Sequence, residues 1–387
     1  MGALSILIVG GGIGGLSLAR ELSIRGLAVK VLERAPRLDA VGAGIIMNPN
    51  AMRILERNRL ADALRGNAWP YLQRETRDRR GRLLAVRDYR PLYDAGTLST
   101  GALVHRAHLL DVLFNGVPRE AVHFGVTVTR IEPLPDRVRV TTEQNEVFEA
   151  DLLVGADGIR SQVRRHVSGG IAPRYMGYRS HRMVVGTVAG VRNFTEFLGR
   201  GQRIGLVPIS DRQLYVWTTY NSPRERTAEF DNVDRFRALF AQFSDERVGS
   251  ALSQVRSPEE IITTEIEELA LDDWVHGRVV LLGDAVHAMT PNIGQGAGMA
   301  MEDAVVLADE LQSAARGAHD LATALRRYAA QRKPRVATVM RLSRQVGEEG
   351  QQANPVACWL RNRRIRRAGE NAAQAQADLV QLLASTA

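Results

Sequence analysis

At 387 residues, with 45% apolar and 24% charged side chains, the chain is long enough to bury two packed domains and lacks the 18-residue apolar run a membrane-crossing helix needs. A single cysteine, Cys358, excludes an internal disulfide and a paired-thiol redox motif and leaves no second thiol for a zinc site, so redox work falls to a bound cofactor. The net charge of +8 is carried mostly by arginine and suits an anionic partner, but no zinc-finger spacing or aromatic-basic interleaving points to nucleic acid, and the arginine clusters at 160–165 and 361–367 read as solvated helix faces.

The opening MGALSILIVGGG has no positive n-region or cleavage site, so the expectation is a cytoplasmic protein. Residues 4–9 form a short β-branched run that ends in glycines. Leu16, Ala19, Leu22 and Ile24 follow at near-helical spacing, and Ala28–Leu32 reads as a second strand, which completes a βαβ unit of about 30 residues. Further on, Ala150–Val154 and Val279–Leu282 each lead into an Asp beside Gly and read as later strands of the same sheet. Between them, Met183–Val191, Arg203–Ile209 and Leu214–Tyr220 alternate like antiparallel strands, with a turn at Pro208–Asp211. After Gly298 the apolar spacing becomes helical, and the last 50 residues or so read as one or two amphipathic helices. The pattern predicts an α/β fold: a Rossmann-like domain with a parallel sheet, interleaved with a smaller sheet-based domain and closed by C-terminal helices.

Three motifs carry chemistry. Gly10-Gly11-Gly12-Ile13-Gly14-Gly15 fits Gly-x-Gly-x-x-Gly between a strand and a helix: Gly10 for the tight turn, Gly12 for close approach of a pyrophosphate, Gly15 for helix–strand packing. Glu33, 18 residues past Gly15 at the end of the second strand, can accept from a ribose 2′-hydroxyl and favours an unphosphorylated adenosine ribose, so FAD or NAD fits better than NADP. Gly155-Ala156-Asp157-Gly158 and Gly283-Asp284-Ala285-Val286-His287 each place an Asp at a strand end among small residues, where it can cap the next helix or accept from sugar and ribityl hydroxyls. His287 and His105 lie beside these motifs and read as packed structural residues rather than general bases.

Together with Glu33-Arg34, Gly42-Ala43-Gly44-Ile45, Asn48-Pro49-Asn50-Ala51, Arg106 before Leu109-Leu110, and Pro291-Asn292-Ile293-Gly294-Gln295-Gly296, these motifs resemble the single-component, FAD-dependent aromatic hydroxylases of the para-hydroxybenzoate hydroxylase type over roughly residues 4–335. The resemblance implies that Gly12, Gly14 and Gly15 cradle the pyrophosphate and that Glu33 and Arg34 meet the adenosine. Arg106 reaches the phosphates or ribityl chain, and backbone at Val128 meets the adenine. Asp157 lies near the pyrophosphate and Asp284 holds the ribityl hydroxyls. The N–H groups of Gly294, Gln295, Gly296, Ala297 and Gly298 stabilise negative charge on reduced flavin. It also implies transient use of NADH or NADPH, a C4a-hydroperoxyflavin that hydroxylates a small aromatic or heteroaromatic substrate with dioxygen, and Pro291 against the flavin. Only one dinucleotide fingerprint is present, as a transient nicotinamide visit requires.

By the same resemblance the segments divide as FAD-binding 1–75, 106–175 and 271–335, substrate-binding 76–105 and 176–270, and a C-terminal helical segment 336–387. Arg203 and Tyr215 occupy the strand pair that roofs the site and are candidates to hold the substrate, cross-strand packing being the plainer reading. The segments Met47–Arg53 and Arg179–Val185 are expected to line the pocket. Asp273-Trp274, His276-Gly277-Arg278, Ala288–Asn292 and Trp359–Asn362 are similar to the branch that hydroxylates 2-alkyl-4-quinolones, and Arg203, Pro208 and Tyr215 recur among urate hydroxylases. The alternatives are a flavin oxidase or dehydrogenase that inserts no oxygen, and a non-enzymatic flavin- or drug-binding protein.

Overall fold

A computed structural model describes residues 4–38, 43–224 and 232–370; Gly42 and the chain beyond 370 lie outside the described residues. The β-branched run Ser5–Val9 is a strand at the centre of a six-stranded sheet, flanked by Leu152–Gly155 and Ala28–Glu33 in parallel register, Ile8 opposite Val31 and Val154. Val122–Phe124 and Val279–Leu281 extend it in parallel, and the short Val275–His276 adds an antiparallel edge. Strands buried on both faces need no alternation, which is why Ile6, Leu7 and Ile8 are all inaccessible. Helices Ile13–Ile24 and Gly296–Ala315 pack together over this sheet, and the long helix Leu321–Gly350 lies against the second of them.

A second, seven-stranded sheet runs in the order Ile262–Glu268, Arg174–Gly186, Gln213–Asn221, Gln202–Pro208, Phe194–Leu198, Gln73–Asp78 and Leu83–Asp88. It is antiparallel except where Phe194–Leu198 meets Gln73–Asp78. Its first contribution starts at Gln73, three residues ahead of the expected boundary at 76. The strand expected over Met183–Val191 runs instead from Arg174 to Gly186. A bulge between Tyr175 and Arg179, where Gly177 takes a φ of +82°, interrupts the alternation and hides the first half of the strand from a period-two reading.

Register decides which side chains share a face. Arg182 pairs with Trp217, Val184 with Tyr215, Val207 with Tyr215 and Arg203 with Thr219, so these side chains stand on one side. Met183, Val185, Ile204, Leu206 and Val216 stand on the other and pack against Phe236 and Phe240. The first face looks onto a three-stranded sheet, Gly44–Met47, Gly101–His105 and Ala68–Tyr71, through a cluster that includes Tyr215, Ala43, Leu103 and Val207.

Candidate active site

The glycine turn is built as its spacing requires. Gly10 sits at φ +110°, where a Cβ would come within 2.4 Å of the Ala156 carbonyl oxygen, and a Cβ on Gly15 would lie 1.9 Å from the Gly10 oxygen. Gly12 differs: nothing lies within 4 Å of its would-be Cβ. Packing alone therefore demands glycine at 10 and 15, whereas at 12 the backbone faces the open space a phosphate group would fill. Glu33 accepts from the Gly11 N–H at 2.6 Å and the Ala35 N–H at 2.9 Å, which fixes its carboxylate beside the turn with lone pairs to spare for a ribose. Arg34 is exposed next to it, and Val128 is buried at the start of strand Val128–Pro133.

Asp157 caps helix Gln162–Ser168: its Oδ2 accepts from the Gln162 N–H at 2.6 Å and its Oδ1 from the Ser161 hydroxyl at 2.5 Å. From that helix Arg164, expected on a solvated face, is instead 2% exposed and donates to the carbonyls of Ile159 and Ala285. It stitches the Asp157 turn to the Asp284 turn, more than a hundred residues apart in sequence. Arg361 is buried as well, against the carbonyls of Gly199 and Gly350.

The Asp284 carboxylate makes no hydrogen bond among the described residues. It reaches solvent inside a recess where burial pushes its carboxyl above the ordinary range, against the pull of His287 and Arg106. Arg106 shares the recess: burial and the neighbouring Arg182 lower its guanidinium, which Asp284 opposes. Arg182 projects from the site-facing side of the roof sheet, its Nε buried without a partner and one terminal nitrogen donating to Thr264 at 3.2 Å. Two cations and one carboxylate thus meet in one recess, an arrangement that awaits further hydroxyl and anionic groups. Within the expected pocket segment 179–185, Arg182 is the residue that sequence reasoning did not single out.

Tyr215 packs on Gly44, where an added Cβ would come 2.4 Å from the Tyr215 Cβ and 2.5–2.6 Å from its ring, and burial pushes its phenol up to about 12. Trp217 crosses the next strand at Gly205, which has no room for a side chain, and Arg203 stacks over the indole at 5.5 Å. Arg203 itself is 2% exposed. Its guanidinium donates to Gln351 Oε1 at 3.1 Å, Glu196 at 3.4 Å and Asn292 Oδ1, so its nitrogens are engaged by protein.

The turn Pro291–Ile293 runs through Gly294 and Gln295 into the helix beginning at Gly296, whose start, with Ala297 and Gly298 in its first turn, carries no side-chain cap and leaves backbone N–H groups for an anion. The Gln295 side chain is buried and accepts from the Asn50 amide at 2.9 Å. Asn48 donates to the Gly294 carbonyl at 2.8 Å. The segment 47–53, expected to line the pocket, is therefore mostly buried and clamps this loop from below. Beneath the loop a buried network runs on. Asp303 accepts from Gly283 N–H, His287 and Arg332, and Glu302 accepts from Asn50, Arg332 and Arg335. Burial raises the Asp303 carboxyl, but His287 and Arg332 outweigh it and hold it below its usual value. His287 is thus tied to Asp303, and His105 caps helix Arg106–Asn115 through its Nδ1.

Gly12 open to a phosphate, Glu33 beside it, an Asp284 carboxylate without a hydrogen-bond partner among the described residues and an uncapped helix start are donors and acceptors that fit FAD. The comparisons agree. A family model described as an FAD binding domain matches residues 3–343. Aurachin C monooxygenase/isomerase of Stigmatella aurantiaca is 38% identical over 94% of each chain. The 2-heptyl-3-hydroxy-4(1H)-quinolone synthase of Pseudomonas aeruginosa is 34% identical over 94% of each. The solved structure of Klebsiella pneumoniae HpxO with FAD and uric acid is 29% identical, covers 100% of this chain and 98% of its own, and superposes with a TM-score of 0.89. This chain belongs to the same FAD-binding-domain family and is an FAD-dependent monooxygenase of the single-component aromatic hydroxylase type.

Proposed function

We propose that the enzyme hydroxylates a fused nitrogen heteroaromatic of the 4-quinolone class, with NADH or NADPH as transient reductant and dioxygen as co-substrate. The observation that carries the substrate class is the roof face, where the aromatic side chains of Tyr215 and Trp217 stand on the same side as Arg182, whose Nε is buried without a partner. Two relatives that match nearly the whole chain are named for quinolone or aurachin chemistry.

Bound FAD supplies electron transfer and oxygen activation. The chain's own part is to bind, orient and keep water out. Gly12, Gly14 and Gly15 hold the pyrophosphate, with Asp157 behind it. Glu33, Arg34 and backbone at Val128 hold the adenosine; Asp284 and Arg106 hold the ribityl chain. The N–H groups of residues 294–298 would stabilise negative charge on the reduced flavin, and Pro291 would help keep water from it. Tyr215 stacks on or donates to the substrate, and Arg182 receives its acidic oxygen. In this reading Arg203 acts one step back, as a positioning residue that fixes Asn292 and hence the loop. The segments are proposed with their substrate-side edges moved to Gln73 and Arg174, where the strands of the seven-stranded sheet begin, and the buried lone thiol suits a cytoplasmic setting.

The test is oxidation of NADH and NADPH by the FAD-loaded enzyme across 2-alkyl-4-quinolones, purines, phenols and aromatic carboxylates under labelled dioxygen. A quinolone product that gains one labelled oxygen is the expected result. Hydrogen peroxide alone with every quinolone, or labelled product only from another ring class, overturns the assignment.

A further inference from the structure

We propose that the outward face of the C-terminal helix Pro355–Glu370 docks on an anionic lipid surface; the argument is independent of the substrate. Cys358 and Arg361 turn inward, 6% and 4% exposed, and Arg361 is anchored on the carbonyls of Gly199 and Gly350, so the helix has one fixed rotation. The opposite face is then fixed too. Val356, Trp359 and Leu360, at i, i+3 and i+4, are 65%, 57% and 54% exposed. Scattered exposed apolar residues are ordinary, but three on one turn, with an indole among them, form a patch.

One turn further along the same face stand Arg363, Arg364, Arg366 and Arg367. Arg363 lies over the Trp359 ring at 5.4 Å and Arg364 pairs with Glu349 at 2.7 Å, while Arg366 and Arg367 have no ion pair among the described residues. The helix's far end packs on the edge strand Leu83–Asp88, where a Cβ on Gly369 would lie 3.2 Å from Ala85 Cβ. That strand exposes Leu83 and Val86, with exposed Arg82 and Arg87 on either side.

An apolar tip that carries Trp, followed by a basic stripe, matches the layering of a bilayer surface. The indole and aliphatic groups enter the acyl boundary and the guanidinium groups meet lipid phosphates. A second copy of the chain fits poorly, because a two-fold contact through this face would set the arginines against one another. Nucleic acid would engage the arginines but give Val356 and Leu360 nothing to bury against.

The experiment is co-sedimentation of the full-length, FAD-loaded protein with vesicles of phosphatidylcholine alone or mixed with phosphatidylglycerol, at low salt and at ~1 M salt, where screening shortens the reach of charge to about 3 Å. Expected are binding to the mixed vesicles only, release by salt, and a loss of about tenfold or more in both Trp359→Asp and the double variant Arg366→Gln/Arg367→Gln. FAD content of these surface variants stays at the parent level. The proposal is overturned by no binding to either vesicle, by equal binding to both, or by variants that bind as the parent does. It is equally overturned if Trp359→Asp instead abolishes a dimer seen by sedimentation velocity, or if duplex DNA binds where vesicles do not.

Discussion

Gly347→Ala tests the link between the long helix and the flavin loop, because two opposing effects are large there and the structure decides the sign. In an open helix the change is favourable by about 0.5–1 kcal/mol, since alanine loses less backbone freedom on folding. At 347 a Cβ would stand 2.3 Å from Asn292 Nδ2, 3.0 Å from its Cγ and 3.2 Å from the Tyr178 hydroxyl. Asn292 is short and cannot swing aside without giving up its bonds to the Ser343 carbonyl at 2.9 Å, the Tyr178 hydroxyl at 3.0 Å and Arg203. Overpacking costs about 1–3 kcal/mol, and a buried arginine deprived of an acceptor costs a similar amount. The net expectation is destabilisation by about 2–4 kcal/mol, with flavin released earlier in a urea titration of the loaded enzyme. Gly249→Ala is the matched control: it lies in helix Glu246–Ser253 with nothing within 4 Å of its would-be Cβ, so it gains the propensity term alone. A Gly347→Ala enzyme as stable as the parent, beside a normally stabilised Gly249→Ala, refutes the reasoning.

Three other outcomes follow from the recess. Asp284→Asn weakens FAD binding yet stabilises the flavin-free protein near neutral pH. The raised carboxyl contributes fully only below its unfolded value near 3.8 and loses that contribution as pH rises through the folded one, so the gain over the parent shrinks on acidification; denaturation of the apoprotein across pH reads this directly. Tyr215→Phe raises KM but leaves the shape of the pH–rate profile unchanged between about pH 6 and 10, because a phenol held near 12 stays protonated there; loss of a profile limb would show that it titrates. Arg182→Gln raises KM for the substrate with FAD content intact, whereas Arg203→Gln lowers stability and FAD retention with a smaller effect on KM. A reversed pattern in the two variants would exchange their roles.

The parallel sheet, the glycine turn and the three motif loops were legible because each rests on local chemistry: β-branched runs buried on both faces, glycines at positions where a Cβ collides, and acids at strand ends. Of the roof sheet only the middle strands were legible, from Met183, Arg203 and Leu214; the bulge at Gly177 breaks the alternation before them, and Phe194–Leu198 and Ile262–Glu268 were not read. Arg182 and Arg203 share one face of the roof sheet, though in sequence Arg182 falls just ahead of the alternating run and Arg203 opens one. Their difference lies in what the partner elements bring. Gln351, Glu196 and Asn292 arrive to satisfy Arg203, while Thr264 alone reaches Arg182, and none of those neighbours is near in sequence.

The pair Glu302-Asp303 did carry a signal, as adjacent acids in the apolar helix segment Met299–Ala308, whose other side chains are buried. Acids placed there must meet cations from elsewhere, because a buried carboxylate without a partner is too costly to keep. Arg332 and Arg335 from the next helix meet that demand, and His287 and Asn50 extend the network to the Asp284 turn and to Gln295. The same bonds that neutralise the acids therefore fix the relative positions of two loops proposed to hold the flavin. Replacing Asp303 by an apolar residue would release His287 and the Gly283 N–H, and replacing Glu302 would take one partner from Asn50, Arg332 and Arg335, so in this fold the burial of charge and the placement of the proposed cofactor loops are one structural problem.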